Sequence, residues 1–415
     1  MNQQPASTVH YRDDTVTLYT GDATATLATV GDRSVDCVVT SPPYWGLRDY
    51  GTATWIGGDP DCAHLAAAGR GGGAPQSRGS RPVYPASAAD RGGVPRRCRR
   101  CGARREDGQH GLEPTPQDYV DRLRGVFAQL HRVLADTGTV WLNLGDSYST
   151  EPPGRTGDPM RASTLSGRTA AAPLRESVRR AGVSRTRSLP RKNLVGMPWR
   201  VAFALQQDGW ILRNAIVWHK PNAMPESVRD RLSNRYEMLF LLTKQQQYFF
   251  DLDPIREPLA RPEAIHEGIV IGGSNKGRRA GIDATARRRG HSVYGKYHDA
   301  GPFVGKRHGV AMRSGTRHNA GHKRGKNPGD VWSITTRPLR EAHFAAFPID
   351  IPLRCIAAGC PEGGVVLDPF SGAATTGMAA QQMDRSYVGI DLNPEFHDIG
   401  LRRLGLTPNE EGRAA

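Results

Sequence analysis

The sequence predicts an α/β fold: a sheet with helices on both faces, broken by loop-rich inserts. Three observations carry this. Short apolar runs alternate with stretches of helical periodicity. The C-terminal stretch "EGGVVLDPFSGAATTGMAAQQMDRSYVGIDLNPEFHDIGLRRL" reads as strand, glycine-bearing turn, helix, strand, acidic tip and helix, a βαβ unit of the dinucleotide-fold type. Finally, 48 Gly and 30 Pro in 415 residues mean that much of the length is loop, in two domains or in one large domain with insertions.

The elements follow in order. "VTLYTGD" (16–22) and "CVVT" (37–40) read as buried strands, with "ATATLATV" (23–30) as a short helix between them. Residues 57–112 are rich in Gly, Arg and Pro and read as an insertion without sheet. Val120, Leu123, Phe127, Leu130 and Leu134 then recur at helical spacing, with Thr115 as N-cap and Gly138 just past the helix end. "TVWLNLGD" (139–146) is the next strand. Residues 151–190 form a polar, Arg-rich loop. Residues 193–210 read as a helix, and "ILRNAIVWHK" and "YEMLFLLTK" as strands. Residues 275–330 are the longest stretch that looks disordered.

Lys and Arg total 56 against 41 Asp and Glu, a formal charge of +15. That balance favours a polyanionic partner, most commonly nucleic acid. Much of the excess falls in residues 271–330, with 14 basic against 3 acidic residues and with Tyr294, Tyr297 and Phe303 interleaved. We read this run as contacting phosphates rather than as an idle solvated face. The N-terminus lacks a signal-peptide pattern, and no apolar run approaches the roughly 20 residues that span a bilayer. Six cysteines are too few for a disulfide scaffold, which points to a reducing cytoplasm.

Two stretches carry chemistry. In "VVLDPFSGAATTG" a strand ends at Asp368, Gly372 lets backbone approach a ligand, and a helix starts near Thr375. The next strand ends at Asp391, placed to bind the two hydroxyls of a ribose. Neither a phosphate-binding Gly-x-x-x-x-Gly-Lys motif nor a complete Gly-x-Gly-x-x-Gly is present, so the ligand need not carry phosphates. S-adenosylmethionine fits that description. The second stretch is "TSPPYWG", where an apolar run stops at two prolines that lack N–H donors and stiffen the chain.

These residues resemble amino-group DNA methyltransferases. "DPFSGAATTG" is similar to their cofactor motif and "TSPPYW" to their catalytic motif. The catalytic motif comes first, as in the circularly permuted β group of that family. Matching segments run from about residue 16 to 400, with little in the inserts at 60–110 and 245–330. The resemblance implies a Rossmann-like S-adenosylmethionine-dependent methyltransferase. Its parts are a catalytic-motif segment (11–56), the Gly/Arg-rich insert (57–112), the continued main domain (113–260), a basic DNA-recognition insert (261–330), a cofactor-binding part (331–406) and a tail (407–415).

By that resemblance, Asp368, Phe370, Ser371 and Gly372 line the methionine end of the cofactor. Asp391 holds its ribose, and Asp22 lies near the adenine. Phe347 and Pro348 contribute from the segment before, and Thr375 and Asn393 complete the set. Alanine stands at position 374 where the family usually has a second glycine, so the turn is expected to avoid any conformation reserved for glycine.

Ser41, Pro42, Pro43 and Tyr44 are the catalytic candidates. Ser41 Oγ and the Pro42 carbonyl can accept hydrogen bonds from an exocyclic amino group and localise its lone pair toward a methyl donor. Tyr44 offers a flipped base a surface to stack on, while Trp45 either stacks too or braces the loop. Carbon-5 cytosine methylation would need a nucleophilic cysteine after a proline, and no Pro-Cys dipeptide occurs. Ser at position 41 is more typical of N4-cytosine enzymes, Asp of N6-adenine ones.

The expected partners are double-stranded DNA and a cognate restriction endonuclease of the same restriction-modification system, without direct contact, in a bacterial or phage-encoded setting and with no membrane. RNA or protein-amide methylation, or zinc-dependent DNA binding without catalysis, are the remoter readings. Cys62, His64, Cys98 and Cys101 have spacing suited to tetrahedral Zn²⁺, with His110 as an alternative ligand to His64. The adjoining Arg96, Arg97, Arg99 and Arg100 would then form a knob for DNA phosphates.

Overall fold

The computed structural model describes residues 7–46, 50, 52–59, 61–62, 97–98, 100–149, 189–190, 192–259, 269–270, 317–318, 324–337 and 347–407. The chain divides into two units, Met1–Phe250 with Asp330–Ala415, and Asp251–Gly329.

The larger unit holds a nine-stranded mixed sheet. Its strands are β1 (Thr8–Arg12), β2 (Val16–Thr20), β3 (Val35–Thr40), β6 (Leu134–Leu144), β7 (Ile211–His219), β8 (Tyr236–Thr243), β11 (Val331–Ser333), β12 (Val365–Asp368) and β13 (Ser386–Asp391). The spatial order is β1-β2-β13-β12-β3-β6-β8-β7-β11. The run from β2 to β6 is parallel, so Thr20, Thr40, Asp368 and Asp391 all end at the same edge. Ligands of open α/β sheets bind at that carboxyl edge. The pairs β1–β2, β6–β8 and β7–β8 are antiparallel, which makes the sheet mixed rather than purely parallel.

Helices α1 (Ala23–Leu27), α2 (Pro116–Val133), α3 (Met197–Gln207), α4 (Asp350–Gly359), α5 (Thr375–Gln382) and α6 (Pro394–Leu404) cover the sheet. The period-2 alternation along β6 separates its two faces. Val140, Leu142 and Leu144 join the apolar cluster with Leu123, Phe127 and Leu130 of α2 and Val201 and Leu205 of α3. Thr139, just before Val140, points the other way and donates from Oγ1 to the Gly359 carbonyl at the end of α4, at 2.9 Å. Thr115 caps α2 with a full capping box through Asp118, as its position in sequence predicts.

Three local expectations are corrected. The helix expected over 23–30 ends at Leu27, because Thr29 and Val30 bond back three residues, to Thr26 and Leu27, and tighten the last turn. Gly138 does not stop α2. Leu134 is already extended and opens β6, and Gly138 lies inside that strand, where a Cβ would meet the Leu134 side chain and, at 2.9 Å, the Asp36 carbonyl. The insert also contributes to a strand pair: β4 (Thr54–Ile56) lies antiparallel to β5 (Arg104–Glu106).

The smaller unit has β9 (Ile269–Val270) paired antiparallel with β10 (Arg317–His318), and a bridge between Glu257 and Lys326. Most of the basic run at 271–330 lies outside the described residues, as do Tyr294, Tyr297 and Phe303. Among the described residues no helix is long and apolar enough to cross a membrane.

Candidate active site

Among the described residues, two cavities open at the carboxyl edge of the sheet. The first is lined by the turn after β12, from Asp368 to Ala373, and by Thr375, Asp391 and Phe347. Asp368 is buried, and its carboxylate accepts from Thr40 Oγ1 at 2.6 Å, Thr376 Oγ1 at 2.8 Å and the Phe370 N–H at 3.0 Å. Asp391 accepts from the Gly372 N–H at 2.9 Å and the Asn393 N–H at 2.8 Å. Burial raises both carboxyls to about 6, against the pull of these hydrogen bonds. Ser371 Oγ shares a 2.8 Å hydrogen bond with the Tyr387 hydroxyl beneath the turn.

Ala374 is tolerated in the turn, at a cost. It stands in the left-handed region at φ 54° and ψ 39°, as the N-cap of α5. The turn therefore takes the conformation that glycine favours, and alanine bears a cost of about 1–2 kcal/mol.

Three of the sequence-based cofactor candidates stand beside this cavity rather than in its wall. Asp22 accepts from the Ala25 N–H at 3.0 Å and caps α1, while its neighbours Gly21 and Ala23 line the cavity. Asn393 caps α6 through the Glu395 N–H at 3.0 Å. Pro348 is buried, and its carbonyl accepts from the Ile351 N–H at 3.0 Å.

The wall also includes Tyr50, Thr52, Gln109 and Phe396, which the sequence did not mark, and His110, which it marked only as an alternative metal ligand. His110 is buried against the Phe370 ring at 5.1 Å, with no partner for either ring nitrogen. Burial, assisted by the Arg122 charge, lowers it to about 3, so the ring is neutral. Placed in this wall, it is not the metal ligand the sequence allowed it to be.

The second cavity is lined by Ser41, Pro42, Pro43, Tyr44, Asn143, Gly145, Trp218, Lys220, Tyr236 and Glu237, among others. The Tyr44 hydroxyl lies 2.6 Å from Glu237 Oε2 and 2.9 Å from Asn143 Oδ1. Glu237 is also paired with Lys220 Nζ. Ser41 Oγ lies 3.2 Å from the Tyr44 hydroxyl and 3.3 Å from Asn143 Oδ1. Asn143 donates from Nδ2 to the Met238 carbonyl at 3.1 Å, which fixes its amide orientation. Burial, with the Glu237 charge beside it, raises the Tyr44 phenol well above its ordinary value, so it stays protonated. Trp45 is in the core, donating from Nε1 to the Glu113 carbonyl at 2.9 Å, and so braces the loop. Asn143 and Glu237 are polar residues inside apolar strands, and that pattern was the available signal.

Of the four metal candidates, Cys62, Cys98 and Cys101 come together, and His64 lies outside the described residues.

Residues 35–402 match the N6/N4 DNA methylase family. The chain belongs to that family. It is a site-specific amino-group DNA methyltransferase, and S-adenosylmethionine is its methyl donor. It is 34% identical to the type II methyltransferase M.Cfr9I of Citrobacter freundii, over 94% of this chain and 87% of that relative. It is 32% identical to the type II methyltransferase M.SmaI of Serratia marcescens, over 92% and 89%. A solved structure with the same fold is the PvuII DNA methyltransferase (cytosine-N4-specific), with a TM-score of 0.50 at 13% identity, covering 99% of this chain and 93% of that one.

Proposed function

We propose that this methyltransferase acts on N4 of cytosine in double-stranded DNA, with the target base flipped into the cavity beside Tyr44. The observation that carries the reading is that the two cavities meet at Ser41, Pro43, Tyr50 and Phe347, which line both. A methyl donor in one and an amino group in the other would face each other across Ser41.

The first cavity suits S-adenosylmethionine. Phe347, Phe370 and Phe396 offer apolar faces to an adenosine. Asp391 is the acceptor for ribose hydroxyls, and Asp368 brings a carboxylate toward the cationic methionine end. The unpartnered His110 nitrogens fit a ligand with polar edges. When bound, the donor supplies a methyl group on an already activated sulfonium, so no covalent enzyme intermediate is required.

Proton bookkeeping supports the role of Ser41. The Tyr44 hydroxyl has one hydrogen, and the carboxylate of Glu237, at 2.6 Å, is its stronger acceptor. The single Ser41 hydrogen is then directed to Asn143 or to the Tyr44 oxygen. Either way the Ser41 lone pairs stay available to a base amino group, with the Pro42 carbonyl as a second acceptor. These bonds localise the amino lone pair for in-line attack, after which the methylated nitrogen would release its extra proton to water. The rigid loop supplies alignment. Tyr44, anchored by its hydroxyl and held against Gly145, is the stacking surface.

Serine at position 41 favours cytosine as the target. The type II methyltransferase relatives support a role in restriction-modification, and in this reading a cognate endonuclease acts in the same system without touching this chain. Mass spectrometry of nucleosides from duplex DNA treated with the purified enzyme tests the base. N4-methylcytosine is expected. N6-methyladenine would transfer the same geometry to adenine and overturn the cytosine assignment.

A further inference from the structure

The three cysteines of the insert lie with every Sγ within 4.8 Å of the others, and Cys62 Sγ is 3.8 Å from Cys98 Sγ. A disulfide would bring two sulfurs to about 2.05 Å. Two thiolates on one tetrahedral Zn²⁺, each at about 2.3 Å, stand about 3.8 Å apart. The Cys62–Cys98 spacing fits shared ligation rather than a disulfide.

The backbone is shaped around the cluster. The Cys98 N–H donates to the Ala103 carbonyl at 2.7 Å, and the Gly102 N–H to the Cys98 carbonyl at 2.9 Å, which closes a tight knuckle. Opposite it, Gly58 has φ +78°, and a Cβ there would sit 2.7 Å from Cys101 Sγ and 2.9 Å from the Ala103 nitrogen. The loop before Cys62 therefore presses onto the knuckle at a point where a side chain cannot fit.

The cluster lies at one end of the β4–β5 pair, and the cofactor cavity lies at the other. Ile56 pairs with Arg104 near the thiols, and Thr54 with Glu106 further along. Past that point Thr52 Oγ1 donates to Asp107 Oδ1 at 2.8 Å, and the Gln109 N–H donates to the same oxygen at 3.0 Å. Gln109 Oε1 then accepts from the Tyr50 N–H at 2.6 Å. Tyr50, Thr52, Gln109 and His110 are cavity-wall residues. An isolated pair of three-residue strands is marginal on its own. A metal tying its far end would supply the missing stability.

We infer that Cys62, Cys98 and Cys101 are thiolate ligands of a structural zinc ion, and that this ion clamps the hairpin forming one wall of the cofactor cavity. The role differs from that of a DNA-phosphate knob: its readout is cofactor binding.

The test uses the full-length protein without DNA. Elemental analysis of the purified chain should give about one zinc per chain, a result independent of whether the enzyme is active. Stripping the metal with a chelator should weaken S-adenosylmethionine binding roughly five- to tenfold, the lower range of coupling between sites. Zinc added back should restore it, with the far-UV spectrum unchanged throughout. Cys98→Ser should lose zinc and show the same weaker binding. Absence of stoichiometric zinc, or iron in its place, overturns the site. Zinc loss with cofactor affinity unchanged overturns the clamp, as does wholesale loss of secondary structure on chelation, which would make the ion a support of the whole fold. If Cys98→Ser does not fold, the chelation and add-back series decides the question alone.

Discussion

Asp368 and Asp391 carry opposite consequences for ligand and fold. Burial holds both near 6, against an ordinary value of 3.8. Their raised values give the ligand-free fold a stability contribution that is fully present below 3.8 and is lost as pH rises through about 6. Cofactor binding needs the ionised forms and runs the other way. Titration calorimetry at pH 7.5 and pH 5 should show affinity about tenfold weaker at the lower pH for each carboxylate required. Equal affinity at both would contradict their role. The sequence made these two acids legible because Asp368 ends a strand before a glycine turn and Asp391 ends the next strand. It did not mark Tyr50, nor His110 as a cofactor-cavity residue, since their place depends on the β4–β5 strand pair lying beside the cofactor turn.

Among the elements, the end of β6 shows how backbone controls the catalytic side chain. A Cβ at Gly145 would lie 2.6 Å from the Tyr44 ring. Gly145→Ala should therefore displace the ring and slow methyl transfer by roughly 10- to 100-fold, about 1.4–2.8 kcal/mol. S-adenosylmethionine affinity should stay within about twofold, because the two cavities share Tyr50 but not Tyr44. Calorimetry beside a rate assay separates these outcomes. Strand positions were readable from apolar runs, and α2 from its periodicity and its Thr115 cap. Gly138 was misread because a glycine after a helical pattern is usually a stop. Here the Leu134 side chain occupies the space of a missing Cβ inside the strand. Ala374 could not be placed in the left-handed region from sequence, because that conformation favours glycine without requiring it.

At the scale of the molecule, a charge of +15 meets a polyanionic substrate. DNA affinity measured across 50–200 mM salt should fall with a log–log slope of about −4 or steeper, the signature of at least four neutralised phosphates. A slope near zero would assign the basic run another purpose. The α/β architecture and the order of the two motifs were legible from sequence because local chemistry fixes both. The antiparallel placement of β8, and with it the approach of Glu237 to Tyr44, was not, since it depends on which strand edge remains open after the parallel core has formed.

The central claim is that methyl transfer takes place where the two cavities meet, at Ser41. The most direct measurement is single-turnover transfer of labelled methyl from S-adenosylmethionine to duplex DNA by the wild-type enzyme and by Ser41→Ala, with cofactor binding measured in parallel. The account predicts cofactor affinity within about twofold and a transfer rate reduced by roughly 100-fold or more, some 2.7 kcal/mol of lost transition-state alignment. Wild-type transfer by Ser41→Ala would contradict it.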